Sequence, residues 1–344
     1  MLQNSKNNYI SIAKALGIIL MVVGHSGCPS TMSRFIYLFH MPLFFVCSGF
    51  FFKEISDRSS LQTFYKKRMN GLYLPYIKWS LLFLILHNSF RYLHITESVI
   101  YQTDDYVRQF IKMIAMTDYE LLIRPFWFIK ELLFTSIIVA TISLFCNRFC
   151  TKNIPEVLFT FSLIASILAK FIPVIPVIGN TSLLFLCIAY FYSGILLNKY
   201  RYYISMTYTT ILLTFIIVTV GSLSFNGTID MRFTNLHNLI PYYLLSIMGI
   251  IMILSISKKL EQTKHVSILF YIGNHTMPIL ALNLLALKIG SLIKIWMYNL
   301  SIEDLASYTV IYDNNTYFWL IYTIVGVSCP LLVEYLFYRF VLRN

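Results

Sequence analysis

An all-α polytopic membrane protein of about ten transmembrane helices, both termini cytoplasmic, is the architecture this sequence predicts. Three observations predict it: 58% of the 344 residues are hydrophobic, only 12% are charged, and the apolar residues fall in runs of bilayer length. A crossing needs roughly 20 apolar residues, and a soluble core of this size has no room for so many. Water-soluble enzymes are excluded, as are disordered and collagen-like chains, because nothing is polar, repetitive or dominated by Gly and Pro. No composition shift marks a second domain, so 1–344 reads as a single transmembrane domain.

Cutting the apolar runs at charges and at Pro, Gly and Asn gives ten segments: 10–27, 34–52, 72–90, 125–146, 156–172, 181–197, 204–222, 239–256, 268–287 and 316–338. The first could begin a secretory signal, but Lys14 interrupts it. His25-Ser26-Gly27-Cys28 resembles a lipoprotein cleavage box with a His where an aliphatic residue belongs, so the segment is expected to stay as a span. The loop 91–124 has room for one short amphipathic helix with Tyr106, Phe110 and Ile114 on its apolar face, suited to the outer leaflet. Orientation follows from the basic residues. With the N-terminus inside, the inner loops and tails, from Lys6 through Arg148 and Lys152 to Arg343, hold fifteen, against eight outside, among them Lys288 and Lys294.

The same asymmetry accounts for the net charge of +12, and no nucleic-acid motif accompanies it. Cys28, Cys47, Cys146, Cys150, Cys187 and Cys329 show no metal-ligand spacing and read as small buried hydrophobes; no metal is expected.

Ionisable residues inside spans are expensive and mark functional candidates. They are Lys14, His25, His40, Lys78, Lys130, Glu131, Lys170 and Glu334, of which Lys78, Lys170 and Glu334 are explained as well by snorkelling. Lys14 and His25 are eleven residues apart, about 20° past three full helical turns and a rise of roughly 16 Å. They share one face, a cation towards the cytoplasm and an imidazole half a bilayer above it. An imidazole titrating near neutrality can take a proton from a hydroxyl and return it, as acyl or phosphoryl transfer requires; a hydrogen bond to a backbone carbonyl is the alternative. Glu131 follows Trp127 by one turn, so both can point inward. Trp127 can stack on a sugar or mark the interface belt, and His40, just before Pro42, can be catalytic or bond a carbonyl that the Pro frees. His275 and Asn283, eight residues apart, can line one face for packing or for an acceptor.

The stretch from Ile12 to Phe52 carries a resemblance. Lys14 and His25, then His40-Met41-Pro42 within Phe39–Phe45, then Ser48-Gly49-Phe50-Phe51, resemble the opening of the acyltransferase-3 family of integral-membrane acyltransferases. Lys66-Lys67-Arg68 ahead of Leu74-Pro75 is similar to the family's paired-Arg element. Phe126-Trp127-Phe128-Ile129 resembles its Trp-Phe-Leu helix start, and Ile272-Gly273-Asn274-His275-Thr276 its late Gly motif. The resemblance covers about 10–285, and its flavour is nearest to sugar O-acetylases of the fucose-4-O-acetylase kind. Two departures stand out: Lys14 and Lys66 replace the usual Arg, exchanging bidentate recognition for a point charge, and Asn283 stands where many relatives have a His.

The resemblance implies transfer of an acetyl group from cytoplasmic acetyl-CoA to a hydroxyl of a cell-surface or lipid-linked sugar, in a bacterial cytoplasmic membrane. His25 is then the general base, or less favourably the site of an acetyl-His intermediate. Glu131 can orient a protonated partner or pair with Lys130 or Lys14. Lys14 lies where the pantetheine arm enters, while Lys66, Lys67 and Arg68 hold the nucleotide phosphates or merely express the inner-side bias. His40, Trp127, His275 and Asn283 stand for the acceptor. Partners are acyl-CoA, the sugar or glycolipid and membrane lipid, not nucleic acid; acetyl against succinyl, the acceptor and the oligomeric state stay open. A multi-span transporter or polysaccharide exporter is the rival, but the inverted repeats and matched broken helices of carriers are not evident. Nor is His25 or His40 followed, four intervening residues later, by the Asp of other membrane acyltransferases.

Overall fold

The computed structural model describes residues 8–146, 153–175, 177–264, 266–312 and 317–342. Lys6, Arg148, Cys150, Lys152 and Arg343, counted above, lie outside the described residues. Among the described residues all regular structure is helical: α1 (Asn8–His25), α2 (Ser30–Tyr37), α3 (His40–Phe50), α4 (Arg58–Arg68), α5 (Leu74–Ile85), α6 (His87–Tyr92), α7 (Thr103–Ile114), α8 (Trp127–Cys146), α9 (Ile154–Leu168), α10 (Thr181–Lys199), α11 (Tyr208–Ser224), α12 (Leu239–Leu260), α13 (Val266–Asn274), α14 (Thr276–Tyr298) and α15 (Trp319–Phe337). Eight helical stretches are long and apolar enough to cross a bilayer, and α11, at 17 residues, is a shorter apolar helix. The chain is an all-α polytopic membrane protein. In lipid a helix satisfies its own backbone groups, which is what lets apolar runs of this length cross singly.

The chain divides into two compact units. Unit 1 comprises Met1–Ile36, Ile77–Phe126 and Glu261–Asn344, and unit 2 comprises Tyr37–Tyr76 and Trp127–Leu260. In unit 1, α1 packs against α13, α14 and α15. Small residues set these contacts: a Cβ at Gly273 would overlap the Ser11 carbonyl, and one at Gly326 would press on Val22. Glu261 accepts from the Tyr9 backbone N–H (3.1 Å), one of the donors that the start of α1 leaves without an intrahelical partner. In unit 2, α10 lies between α3 and α9 and also meets α8. Here Gly49 of α3 faces the Phe191 carbonyl and Gly194 of α10 faces the Val46 carbonyl, each too close for a Cβ. The two backbones touch directly. Asp57 caps α4, accepting from the Ser60 N–H (2.9 Å) while the Ser60 hydroxyl accepts from the Asp57 N–H (3.2 Å). The Ser60 N–H holds its carboxyl below the usual range.

Several expectations need correction. The segment 34–52 is two helices, because His40-Met41-Pro42 opens α3 instead of lying mid-helix; there the missing Pro N–H breaks no ladder. Carbonyls exposed at the break are taken by α12: Tyr242 donates to Tyr37 O (3.0 Å) and Ser246 to Leu38 O (2.5 Å). The segment 72–90 divides into α5 and α6. The segment 268–287 is interrupted at His275, and α14 then continues to Tyr298, so Lys288 and Lys294 lie within a helix and not in an outer loop. Both are buried. Lys288 donates to the carbonyls of Leu305 (2.8 Å) and Ser307 (2.6 Å), and Lys294 to that of Ile311 (3.0 Å). α7 forms as expected, but its buried positions are Gln109 and Met113; Phe110 and Ile114, with Val107 and Ile111, are exposed.

Candidate functional site

In unit 1 both leading candidates lie on α1. Lys14 occupies its second turn and His25 is its last residue, each half-buried. The imidazole therefore stands at the C-terminal end of the helix and not midway along it. The chain leaves α1 through a turn with Gly27 at φ +79°, where a side chain is disfavoured. Beyond it Cys28 is buried, which pushes its thiol up to about 11 and keeps it a packed apolar group. Cys28, Cys47, Cys146, Cys187 and Cys329 are all free, and no cluster of metal-ligating side chains occurs among the described residues.

The late motif of unit 1 has another form than its spacing suggested. His275 is the N-cap of α14, in non-helical conformation (φ −116°, ψ 36°), so the eight residues to Asn283 do not run along one helix. Its Nδ1 donates to the Tyr271 carbonyl (2.7 Å), and the ring stacks on Tyr271 at 4.1 Å. Asn283 is fully buried. Its amide nitrogen donates to Ile279 O (3.0 Å) and Leu280 O (2.8 Å), while its Oδ1 has no hydrogen-bond donor among the described residues.

Unit 2 joins two of the sequence motifs. Arg68, from the basic run at the end of α4, donates from Nη2 to the hydroxyl of Ser48 (2.9 Å), the Ser of Ser48-Gly49, and lies over the Phe64 ring at 5.0 Å. Burial lowers its guanidinium to about 10, leaving it charged at neutral pH. Lys66 and Lys67 are exposed on the same helix. On α3, His40 is buried and meets the Tyr37 ring edge-on at 4.9 Å. On α8, Glu131 is buried with one carboxylate oxygen, Oε2, lacking a hydrogen-bond donor among the described residues. Trp127, one turn earlier, is half-buried under the Arg232 guanidinium (5.2 Å to the ring centroid), and Asp230 holds that guanidinium (2.7 Å). An aromatic face presented to a cation suits the membrane rim. Lys170 donates to the Thr234 carbonyl, as a snorkelling lysine does, and Lys78 is exposed.

One strongly paired group escaped the sequence reading. His87 in unit 1 is buried, with Nδ1 2.6 Å from Glu120 Oε2 and Nε2 2.9 Å from the Val99 carbonyl, and its ring stacks on Tyr101 at 3.4 Å. A carbonyl only accepts, so Nε2 carries a hydrogen and the His87–Glu120 contact shares a further proton. It anchors the loop 91–124 to α6. The signal was a His inside an apolar run, and its acidic partner lies 33 residues away.

Neither the curated proteins nor the solved structures provide a match to this chain. A family model does: Acyl_transf_3, described as an acyltransferase domain, matches residues 7–335 and so spans both units. That match takes in Lys14 and His25 on α1, the bonded pair Ser48 and Arg68, and the Gly273 motif packed on α1, and with it the chain belongs to the acyltransferase-3 family of membrane acyltransferases.

Proposed function

We propose that the protein moves an acetyl group from cytoplasmic acetyl-CoA to a hydroxyl of a cell-surface or lipid-linked sugar in a bacterial cytoplasmic membrane, as sugar O-acetylases do. The observation that carries this reading is the helix α1, with a cation in its second turn and an imidazole at its far end. A thioester arm lying along that helix, its phosphates at the inner side, would bring its carbonyl towards His25. His25 takes the proton of the acceptor hydroxyl as that oxygen forms its bond to the thioester carbonyl carbon. The carbon–sulfur bond breaks, CoA leaves as thiolate, and the imidazolium returns the proton to sulfur. Lys14 offers a point charge along the path. Lys66 and Lys67 attract the anionic donor, while Arg68, engaged with Ser48, fixes the end of α4. Glu131, with a buried oxygen that has no hydrogen-bond donor among the described residues, is the group we assign to orient a protonated partner; His40, Asn283 and Trp127 stay on the acceptor side of this reading, whereas His275, two residues past the Gly273 contact with Ser11, belongs to the opposite end of α1 from His25 and is withdrawn from it.

Membranes containing the protein are incubated with labelled acetyl-CoA and the products separated. His25→Ala is expected to abolish labelling of glycan while leaving the amount of protein in the membrane unchanged. A normally expressed His25→Ala protein that still transfers label overturns the assignment.

A further inference from the structure

A cavity of about 700 Å³ in unit 2 lies where α3, α8 and α10 end and α9 begins. Basic-residue counting places those four helix ends on the cytoplasmic side. Its volume lies within the range of about 300–1,000 Å³ typical of small-molecule sites. Its wall mixes Phe52 and Tyr192 with Ser143, Asn198, Arg201 and Tyr202. The element bearing Lys66 and Lys67, with the loop before it, is pinned to α8. The Ile55 N–H donates to Ser143 Oγ (3.0 Å), and the hydroxyls of Tyr65 and Thr141 meet at 2.6 Å.

Arg201 is the informative residue. It donates from Nη1 to Asn198 Oδ1 (3.0 Å) and from Nη2 to the Tyr202 hydroxyl (2.9 Å), with its guanidinium 4.8 Å from the Tyr202 ring centroid. Both acceptors are neutral, and among the described residues no carboxylate pairs with it. Its neighbour Lys199 differs, being paired with Glu156 at 2.5 Å. A guanidinium fixed by two neutral groups keeps its charge and three further N–H donors, which is how Arg is presented to phosphate. A bare phosphate needs neither this volume nor an aromatic wall. Tyr202, 83% exposed, offers a ring to a purine, and Glu54 on the lining suits an amino or hydroxyl donor, which a purine riboside supplies.

We propose that this cavity of unit 2 docks the nucleotide end of the acyl donor, with a phosphate on Arg201 and the adenine against Tyr202. The proposal rests on the acyl-CoA reading of the previous section and adds the place where the donor is held.

The test uses the full chain in lipid nanodiscs, titrated with coenzyme A, adenosine 3′,5′-bisphosphate and inorganic phosphate, for the unaltered protein, Arg201→Ala and Tyr202→Ala. Loss of a charge-assisted contact is expected to weaken coenzyme A and the bisphosphate about tenfold or more in Arg201→Ala, with phosphate alone binding far more weakly than either. Cys146, half-buried on the cavity lining, gives a second readout that needs no variant: saturating bisphosphate is expected to slow its alkylation by N-ethylmaleimide, followed on its own peptide by mass spectrometry. Coenzyme A bound equally well by Arg201→Ala, with Cys146 unprotected, overturns the proposal while the acetyl-CoA reading stands. Phosphate binding as tightly as the bisphosphate overturns the nucleotide assignment. An unaltered protein that neither binds coenzyme A nor transfers labelled acetyl removes both readings together.

Discussion

Three consecutive basic residues, Lys66, Lys67 and Arg68, look alike in the sequence and differ in the fold. Successive side chains on a helix point about 100° apart, so one of three can face a partner while the others face water. Arg68 meets Ser48 and the Phe64 ring; Lys66 and Lys67 are exposed. Arg68→Ala is therefore expected to destabilise the protein by about 1.5–3 kcal/mol, the range for a hydrogen bond to a charged group, against ~0.5 kcal/mol or less for Lys66→Ala or Lys67→Ala. Thermal unfolding of the purified variants reads the difference, and equal shifts in all three would contradict the division of roles. The sequence showed that a basic cluster existed here, but the identity of the packed member depends on Ser48, twenty residues away. His87 was visible as a His within the run 72–90, but its partners were not: its meaning comes from Glu120 and Val99, which only the folded loop brings to its ring.

At the scale of elements, Gly49 entered as part of a Ser-Gly-aromatic signature and gained a physical cause only with α10 in place. A side chain there collides with the Phe191 carbonyl, whereas Gly71, also helical, has no atom within 4 Å of its would-be Cβ. Gly49→Ala is expected to cost about 1–3 kcal/mol, as overpacking does, and Gly71→Ala close to nothing, read as midpoints of heat-induced aggregation in detergent. Most helices were legible because apolar runs of span length have few alternatives. The breaks were not. The run 268–287 reads as continuous, yet the chain turns at His275, and α14 extends through two lysines that the charge rule places in water. Carbonyls of Leu305, Ser307 and Ile311 receive those ammonium groups, and a rule based on local sequence cannot anticipate acceptors that arrive from further along the chain.

For the whole molecule, moving Lys288 and Lys294 from the outer loops into a helix lowers the outer basic count from eight to six and strengthens the orientation read from the sequence. Cysteines introduced at Ser59 and Gln102, both exposed, separate the two sides. A membrane-impermeant maleimide applied to intact cells is expected to label Gln102→Cys and to reach Ser59→Cys only after permeabilisation; the reverse pattern would invert the topology. The direct backbone crossing of Gly49 and Gly194 has a last consequence at this scale. With no side chains to cushion sliding, α3 and α10 form one stiff plank, and Phe52 just past the end of the first keeps a constant distance from Arg201 just past the end of the second. A guest seated between those tips meets a preformed socket, so its arrival should follow a single fast exponential with no slow rearrangement behind it.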